Sequence, residues 1–290
     1  MNALIPSLTG RALTVDIALR NPTVLRDRIA TLADGQLIMP KFYSSLGKQV
    51  EGGGILYSVA KSSDLYATGV SPRTPGAEYS VVEGVDPEAK LALVGDVGGK
   101  FQVLDEARTR NDVSYIDGQT TQLANTVSAR VDAAAMAAVL AADIDSIVAS
   151  AAWDEAILEG ATPSSPQDRP TATLAEALER FENDSMGVVP DVLLVAPQEA
   201  RVLRTLYGKD LGSVLDSFGL SLVSNARLAA GTAYVLRAGE VGTVGFEEPL
   251  RVEVYDDRAT RSTWVQCFAV PAFAVEKPYA AKKLTALATP

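Results

Sequence analysis

The feature that most constrains the fold is one long apolar stripe in the middle of the chain. Leu123, Val127, Val131, Ala134, Ala138 and Ala141 recur at helical spacing, and Ile144, Ile147 and Val148 extend the same face. A helix is expected to start near Asp112 or Asp117, and from Asp117 to Ser150 it would be about 50 Å long at 1.5 Å per residue. That is far longer than an ordinary globular helix. Its second half is alanine-rich, which lets neighbouring backbones approach closely. Trp153 to Leu158 is expected to prolong the helical region.

The chain before this helix reads differently. Residues 1–50 suggest an extended leader with one helix. Asn21 and Pro22 form a start signal, Val24, Leu25, Ile29 and Leu32 recur at roughly helical spacing, and Gly35 stops the run. Such a leader buries little by itself and is expected to need a partner surface. Glu51-Gly52-Gly53-Gly54 reads as a hinge. A strand is expected over Ile55–Thr68, then a turn at Ser71-Pro72-Arg73-Thr74-Pro75-Gly76, then a return through Tyr79–Val82 and Leu91–Val94. An isolated two-stranded hairpin is marginal in water, so this one should lie on something else.

Beyond the helix, Ala161–Pro170 is a loop, and Thr173-Leu174-Ala175-Glu176 reads as a capping box opening a short helix. Asp191–Val195 is a buried strand between Pro190 and Pro197, and Pro197 starts another helix. Short strands are then expected at Leu220–Ser224, Ala233–Leu236, Val241–Phe246, Leu250–Tyr255 and Trp264–Val270, with a turn at Asp256-Asp257-Arg258.

Composition narrows the function. The 290 residues include no histidine, which removes the usual general base, the usual zinc ligand and any Ser-His or Cys-His pair. The one cysteine, Cys267, lies in an apolar run and reads as a small buried hydrophobe. Neither Gly47-Lys48 nor Gly99-Lys100 has the spacing of a phosphate loop. Asp105, Glu106 and Asp112 lie among Arg108 and Arg110, so ion pairing accounts for that cluster. No cofactor or metal is expected. No apolar run is read as reaching the roughly 20 residues of a membrane span, and no secretory signal is apparent at the N-terminus. The net charge is −10, yet residues 1–50 carry six basic against three acidic side chains. A mildly basic leader on an acidic body argues against tight, specific DNA binding.

The order of elements resembles the major capsid proteins of tailed double-stranded DNA phages, the HK-ninety-seven-type fold. The likeness runs from Gly95-Asp96-Val97-Gly98-Gly99-Lys100-Phe101 through Arg108 into the helix containing Leu123-Ala124-Asn125. It resumes at Asp191–Pro197, Ala230–Leu236 and Val241-Gly242, and closes at Glu276-Lys277-Pro278-Tyr279-Ala280, which looks like the family's final strand. The resemblance implies an α+β fold with four parts. These are an N-terminal arm (1–50), an extended hairpin loop (51–95), a peripheral domain with a spine helix (96–150 and 246–275) and an axial domain (151–245 and 276–290).

It also implies a structural subunit, not an enzyme, that self-assembles into hexamers and pentamers of an icosahedral virion head enclosing double-stranded DNA. The hairpin would lie over a neighbouring subunit. Inter-subunit contacts are expected at Arg26, Arg28, Lys61, Arg73, Glu83, Asp105, Glu106, Arg108 and Arg110. A separate scaffolding protein, a portal and decoration proteins are the implied partners, with non-specific contact to packaged DNA, no membrane, and assembly in the bacterial host cytoplasm. An encapsulin-type cellular shell shares the fold, and a carboxylate-based enzyme is the reading from another class. Lys61 lies in the hairpin without an assignable Asn or Glu partner, so no covalent crosslinks are expected. Denatured heads should therefore run as single chains on a gel, not as a ladder of multimers.

Overall fold

The computed structural model describes residues 19, 22–34, 37–61, 64, 70–82, 87, 89–110 and 113–289. In chain order the elements begin with helix α1 (Pro22–Asp34), the single turn α2 (Met39–Phe42) and strands β1 (Tyr43–Ser45), β2 (Gly54–Ser58), β3 (Ala89–Leu93) and β4 (Val97–Leu104). Helices α3 (Asp105–Thr109) and α4 (Val113–Ala141) follow, then β5 (Ser146–Val148), α5 (Pro170–Asp184), β6 (Val192–Val195) and α6 (Pro197–Tyr207). The last third holds α7 (Leu211–Ser217), β7 (Ser221–Ser224), β8 (Ala233–Leu236), β9 (Gly242–Asp257), β10 (Ser262–Ala274) and β11 (Ala281–Thr285). The chain divides into two units, one of Met1–Leu37, Asp96–Arg130 and Glu248–Val270, the other of Ile38–Gly95, Val131–Glu247 and Pro271–Pro290.

In the first unit β10 pairs antiparallel with β4, from Ser262↔Leu104 to Ala269↔Val97. Their inner face supplies Phe101, Val103, Val265 and Cys267 to a core completed by Ile116 and Ala124 of α4. Leu19, Leu25 and Ile29 of the leader are buried in that same core. The described part of the leader therefore does not wait for a partner surface. Leu25 and Ile29 lie four residues apart, on one helical face, and the sheet offers that face a bed. Asn21 and Gly35, read as its start and stop signals, lie outside the described residues. The turn between β9 and β10 is closed by its own carboxylates: Asp257 accepts from the Ala259 amide at 3.0 Å, and Asp256 from the Thr263 hydroxyl at 2.9 Å.

The second unit is built on a five-stranded sheet in the order β5-β11-β8-β6-β7. β6 and β8 are buried along their whole length. Successive residues serve opposite faces. Val192, Leu194, Tyr234 and Leu236 pack with Ile38, Phe42, Ala135 and Val139. Leu193, Val195, Ala233 and Val235 pack with Trp153, Leu174, Phe181 and Leu203. Asp132, on α4 and only 1% exposed, accepts from the Ile38 and Met39 amides at 3.1 Å and pairs with Arg227. Its charge is thus satisfied by two backbone donors and a guanidinium. The segment entering α2 and β1 is pinned to the helix.

Several boundaries differ from the sequence reading. α4 stops at Ala141 and is about 44 Å long. Ile147 and Val148 leave the helix to form β5, which pairs parallel with Lys283–Thr285. A local apolar pattern cannot register that distant partner. Trp153–Glu155 is one 3-10 turn, not a helical extension. α5 starts at Pro170, with proline at its first position, three residues before the supposed capping box; Thr173 is buried inside it. The expected strands at Val241–Phe246 and Leu250–Tyr255 are one strand, β9. The β1 ladder on β9 ends at Val244, so Pro249 interrupts no pairing with β1. Glu276–Ala280 is not the final strand; Pro278–Ala280 is a 3-10 turn that leads into β11. By length and composition Ser114–Ala141 could cross a membrane, contrary to the sequence reading. Its buried face nevertheless carries Thr120, Ser128 and Asp132 among protein neighbours, which fits a core helix.

Cys267 is fully buried, and burial pushes its thiol from 9.0 up to about 11. The unfolded chain gives up this proton first, so the thiol's contribution is intact below pH 9 and is lost as pH rises towards 11. Denaturation of the native chain across this range should show a loss of roughly 2–3 kcal/mol that Cys267→Ala removes from the pH slope. Identical slopes in the two proteins would show the thiol already exposed.

Candidate assembly surface

The hairpin between Glu51 and Gly95 belongs to the second unit. Its root is a short antiparallel ladder, Gly54↔Leu93 to Ser58↔Ala89. Opposed residues share a face, so Ile55 and Ala92 point one way and Leu56 and Leu91 the other. The inner face is seated: Ile55 packs with Val50, Ala272 and Ala274, and Leu46, Tyr57, Ala92 and Val94 close round them. Gly52 and Gly53 both have φ +79°, the left-handed turn that delivers the chain into β2. Gly54 is required for a different reason: a Cβ there would sit 2.8 Å from the Ala92 carbonyl oxygen.

The outer face has no such seat. Leu56 is 75% exposed, Leu91 59% and Leu93 70%. Further out, Val70, Tyr79 and Val81 are also exposed. Residues 70–82, which hold the expected turn at Ser71–Gly76 and the expected start of the returning strand at Tyr79–Val82, form neither strand nor helix. The segment instead folds on itself as a turn. Arg73 donates to the Ala77 carbonyl at 2.9 Å and lies 4.5 Å from the centre of the Tyr79 ring, and the Ser71 and Ser80 hydroxyls are 2.8 Å apart. Scattered exposed apolar residues are normal, but Leu56, Leu91 and Leu93 share one face of one short ladder.

The charged residues expected at contacts fall in three places. Arg26 and Arg28 lie on α1, where Arg26 pairs with Asp27 at 2.9 Å and Arg28 with Asp117 at 3.3 Å. Lys61 and Arg73 lie in the hairpin, and the Lys61 amide donates to Asp64 at 3.0 Å. Asp105, Glu106, Arg108 and Arg110 are brought together on and just after α3, where Arg258 approaches Asp105 to 3.7 Å. Asp105, Arg108, Arg258 and Arg261 share one shallow depression. Glu83 and Asp112 lie outside the described residues. The apolar set Leu56, Leu91 and Leu93 went unremarked as a surface in the sequence. The available signal was that Ile55-Leu56-Tyr57 does not alternate, as a strand covered on both faces need not. Among the described residues no group of three His, Cys, Asp or Glu side chains could hold a metal ion.

Several solved structures share this architecture. The chain superposes on a virus-like particle protein from Pyrococcus furiosus with TM-score 0.61 and 15% identity, over 90% of this chain and 97% of that one. The capsid protein of the Myoviridae phage XM1 gives TM-score 0.61 and 10% identity, over 89% and 92%. A structure from Mycobacterium phage Che8 gives 0.56 and 15% over the full length of both. No curated protein matches the sequence. The chain belongs to the phage capsid protein family, whose sequence model matches residues 87–284. It has the tailed-phage capsid fold of α+β class and is a structural protein of the virion, not an enzyme.

Gly54→Ala should cost about 1–3 kcal/mol, because the new methyl meets backbone and the ladder must shift. Thr74→Ala, at the exposed turn, should stay within about 0.5 kcal/mol of the native chain in urea titration. Equal midpoints for all three proteins would mean that the root is not packed as described.

Proposed function

We propose that copies of this chain assemble into hexamers and pentamers that close an icosahedral head around double-stranded DNA, with each hairpin laid on the next subunit. The observation that carries this reading is the unmatched outer face of Leu56, Leu91 and Leu93 on a hairpin whose inner face is satisfied. A contact between unlike surfaces, repeated around a ring, builds closed rings from one sequence. Fully burying a leucine contributes roughly 1.5–3 kcal/mol, and each subunit supplies three such residues.

Residues 96–150 and 246–275 are assigned to the peripheral domain, and residues 151–245 and 276–290 to the axial domain. The cluster of Asp105, Glu106, Arg108 and Arg110 is assigned to contacts between subunits, beside the hairpin residues Lys61 and Arg73. Arg26 and Arg28 carry less of the contact, since both already pair within the chain. A separate scaffolding protein, a portal and decoration proteins complete the head, which is built in the host cytoplasm. With a net charge of −10 the shell neutralises few phosphates, so packaged DNA slides freely along it.

A cellular shell of the encapsulin type is the second reading. The Pyrococcus furiosus virus-like particle shares the fold, while the phage capsid family match favours the head.

Negative-stain microscopy of the expressed chain should show uniform polyhedral particles or capsomer rings. Leu56→Ser combined with Leu91→Ser should abolish them while leaving the unfolding midpoint within about 0.5 kcal/mol, since both side chains are exposed in the single subunit. Particles of normal size and yield from this variant would remove the hairpin from the assembly contact.

A further inference from the structure

Residues 131–247, all within the second unit, carry seventeen acidic side chains against seven basic ones. Four of the seven are held inside the chain. Arg180 pairs with Asp145 and Glu176, Arg227 with Asp132 and Arg237 with Asp191, and Arg169 donates to the Ser164 carbonyl at 3.3 Å. The other three, Arg201, Arg204 and Lys209, form no ion pair and no side-chain hydrogen bond among the described residues. All three are exposed, on α6 and the 3-10 turn Gly208–Asp210 that follows it. Arg201 and Arg204 are three apart and share a helical face. The helix dipole accounts for a cation in the last turn, as at Arg204, but not for Arg201 in the middle of the helix. In a segment this acidic, a ridge of cations with nothing to neutralise breaks the pattern of internal pairing.

The end of the same helix lines a cleft of about 470 Å³, shared with Ala156–Glu159 and Asp210. The loop is fixed at Ile157, whose amide donates to the Ser164 hydroxyl at 2.9 Å and whose carbonyl accepts from the Ser164 amide at 2.8 Å. Ile157, 48% exposed, and Leu206 give the cleft apolar surface, and Glu159 and Asp210 give it two carboxylates. Both acids are exposed, and neither side chain has a partner among the described residues. An arginine matches this combination, because its methylene stem covers apolar surface while its planar head bonds carboxylates.

We infer that a second copy of the chain supplies that arginine: Arg201 and Arg204 of one subunit enter the cleft of Ile157, Glu159, Leu206 and Asp210 on the next. Ridge and cleft are different surfaces, so the contact can run head-to-tail and repeat around a ring. Each join neutralises two carboxylates and relieves the self-repulsion of the acidic segment. Exposed charge pairs of this kind select and orient the neighbour more than they add affinity. The inference rests on the reading that copies of this chain assemble, and it uses neither the hairpin nor a closed shell.

Two cysteine variants, Arg204→Cys and Glu159→Cys, test the contact; the native Cys267 is fully buried and stays out of the reaction. Mixed under mild oxidation, the two chains should give at least about ten times more disulfide-linked dimer than either chain alone, because only the mixture brings the two positions within disulfide reach. Charge reversal tests the chemistry. Arg201→Glu with Arg204→Glu, and separately Glu159→Arg with Asp210→Arg, should each raise the concentration needed for particles at least about ten-fold, and all four in one chain should restore it. The four positions are exposed, so each variant should keep the native unfolding midpoint. A mixture that crosslinks no better than either chain alone would overturn the contact, and so would a combined variant that fails to recover what the reversals lose. Crosslinked dimers from a chain that never closes into polyhedral particles would uphold this contact and defeat the shell reading. Polyhedral particles without the crosslink would do the reverse.

Discussion

The seating of Ile55 and Ala92 on Val50, Ala272 and Ala274 fixes where the hairpin leaves the body. Because side chains alternate along a strand, satisfying that face commits Leu56, Leu91 and Leu93 to the opposite one. A slip of one residue in the ladder would exchange the faces and expose Ile55. The ladder is held in register at Gly54, whose missing Cβ lets the Ala92 carbonyl come close. An inner packing contact thus decides the chemistry of the outer surface, and the outer surface decides what the subunit can join.

That seat depends in turn on the second unit. Asp132 holds the Ile38 and Met39 amides, which sets α2, and α2 delivers β1 onto the start of β9. The chain then follows β9 to Val50 and turns into β2. A charged group buried in the body is tolerable because each of its partners is fixed, and its effect is felt at the hairpin through a continuous run of backbone pairing. The five-stranded sheet supplies the rigidity for this arrangement. Its two central strands are apolar on both faces and are covered on both.

Much of this architecture was legible in the sequence where the cause was local. Val192–Val195 is apolar at every position, Pro197 marks the start of α6, and the carboxylates of Asp256 and Asp257 announce a turn; each appears as read. The misreadings share a different cause. Ile147 and Val148 continue a helical stripe in sequence, yet pairing with Leu284 and Thr285, far along the chain, draws them into a sheet. Leu25 and Ile29 looked unpartnered because the residues that bury them, Phe101 and Val265 among them, come much later. Of the two features that first suggested assembly, the leader therefore loses its force in the described residues and the hairpin keeps it. α7 was missed altogether, with Gly212 and Ser213 weakening a short pattern. The charged residues named for contacts were chosen by type, whereas the surface that stands out is apolar and was hidden in a stretch that read simply as strand.

The central claim is that the outer face of the hairpin root is covered by another copy of the chain. Cryo-electron microscopy of assembled particles, at a resolution that places side chains, tests it most directly. The account predicts Leu56, Leu91 and Leu93 in contact with a neighbouring subunit, with Ile55 still seated on Ala272 and Ala274. Particles in which those three leucines face solvent, or in which the root has left its own body, would contradict it.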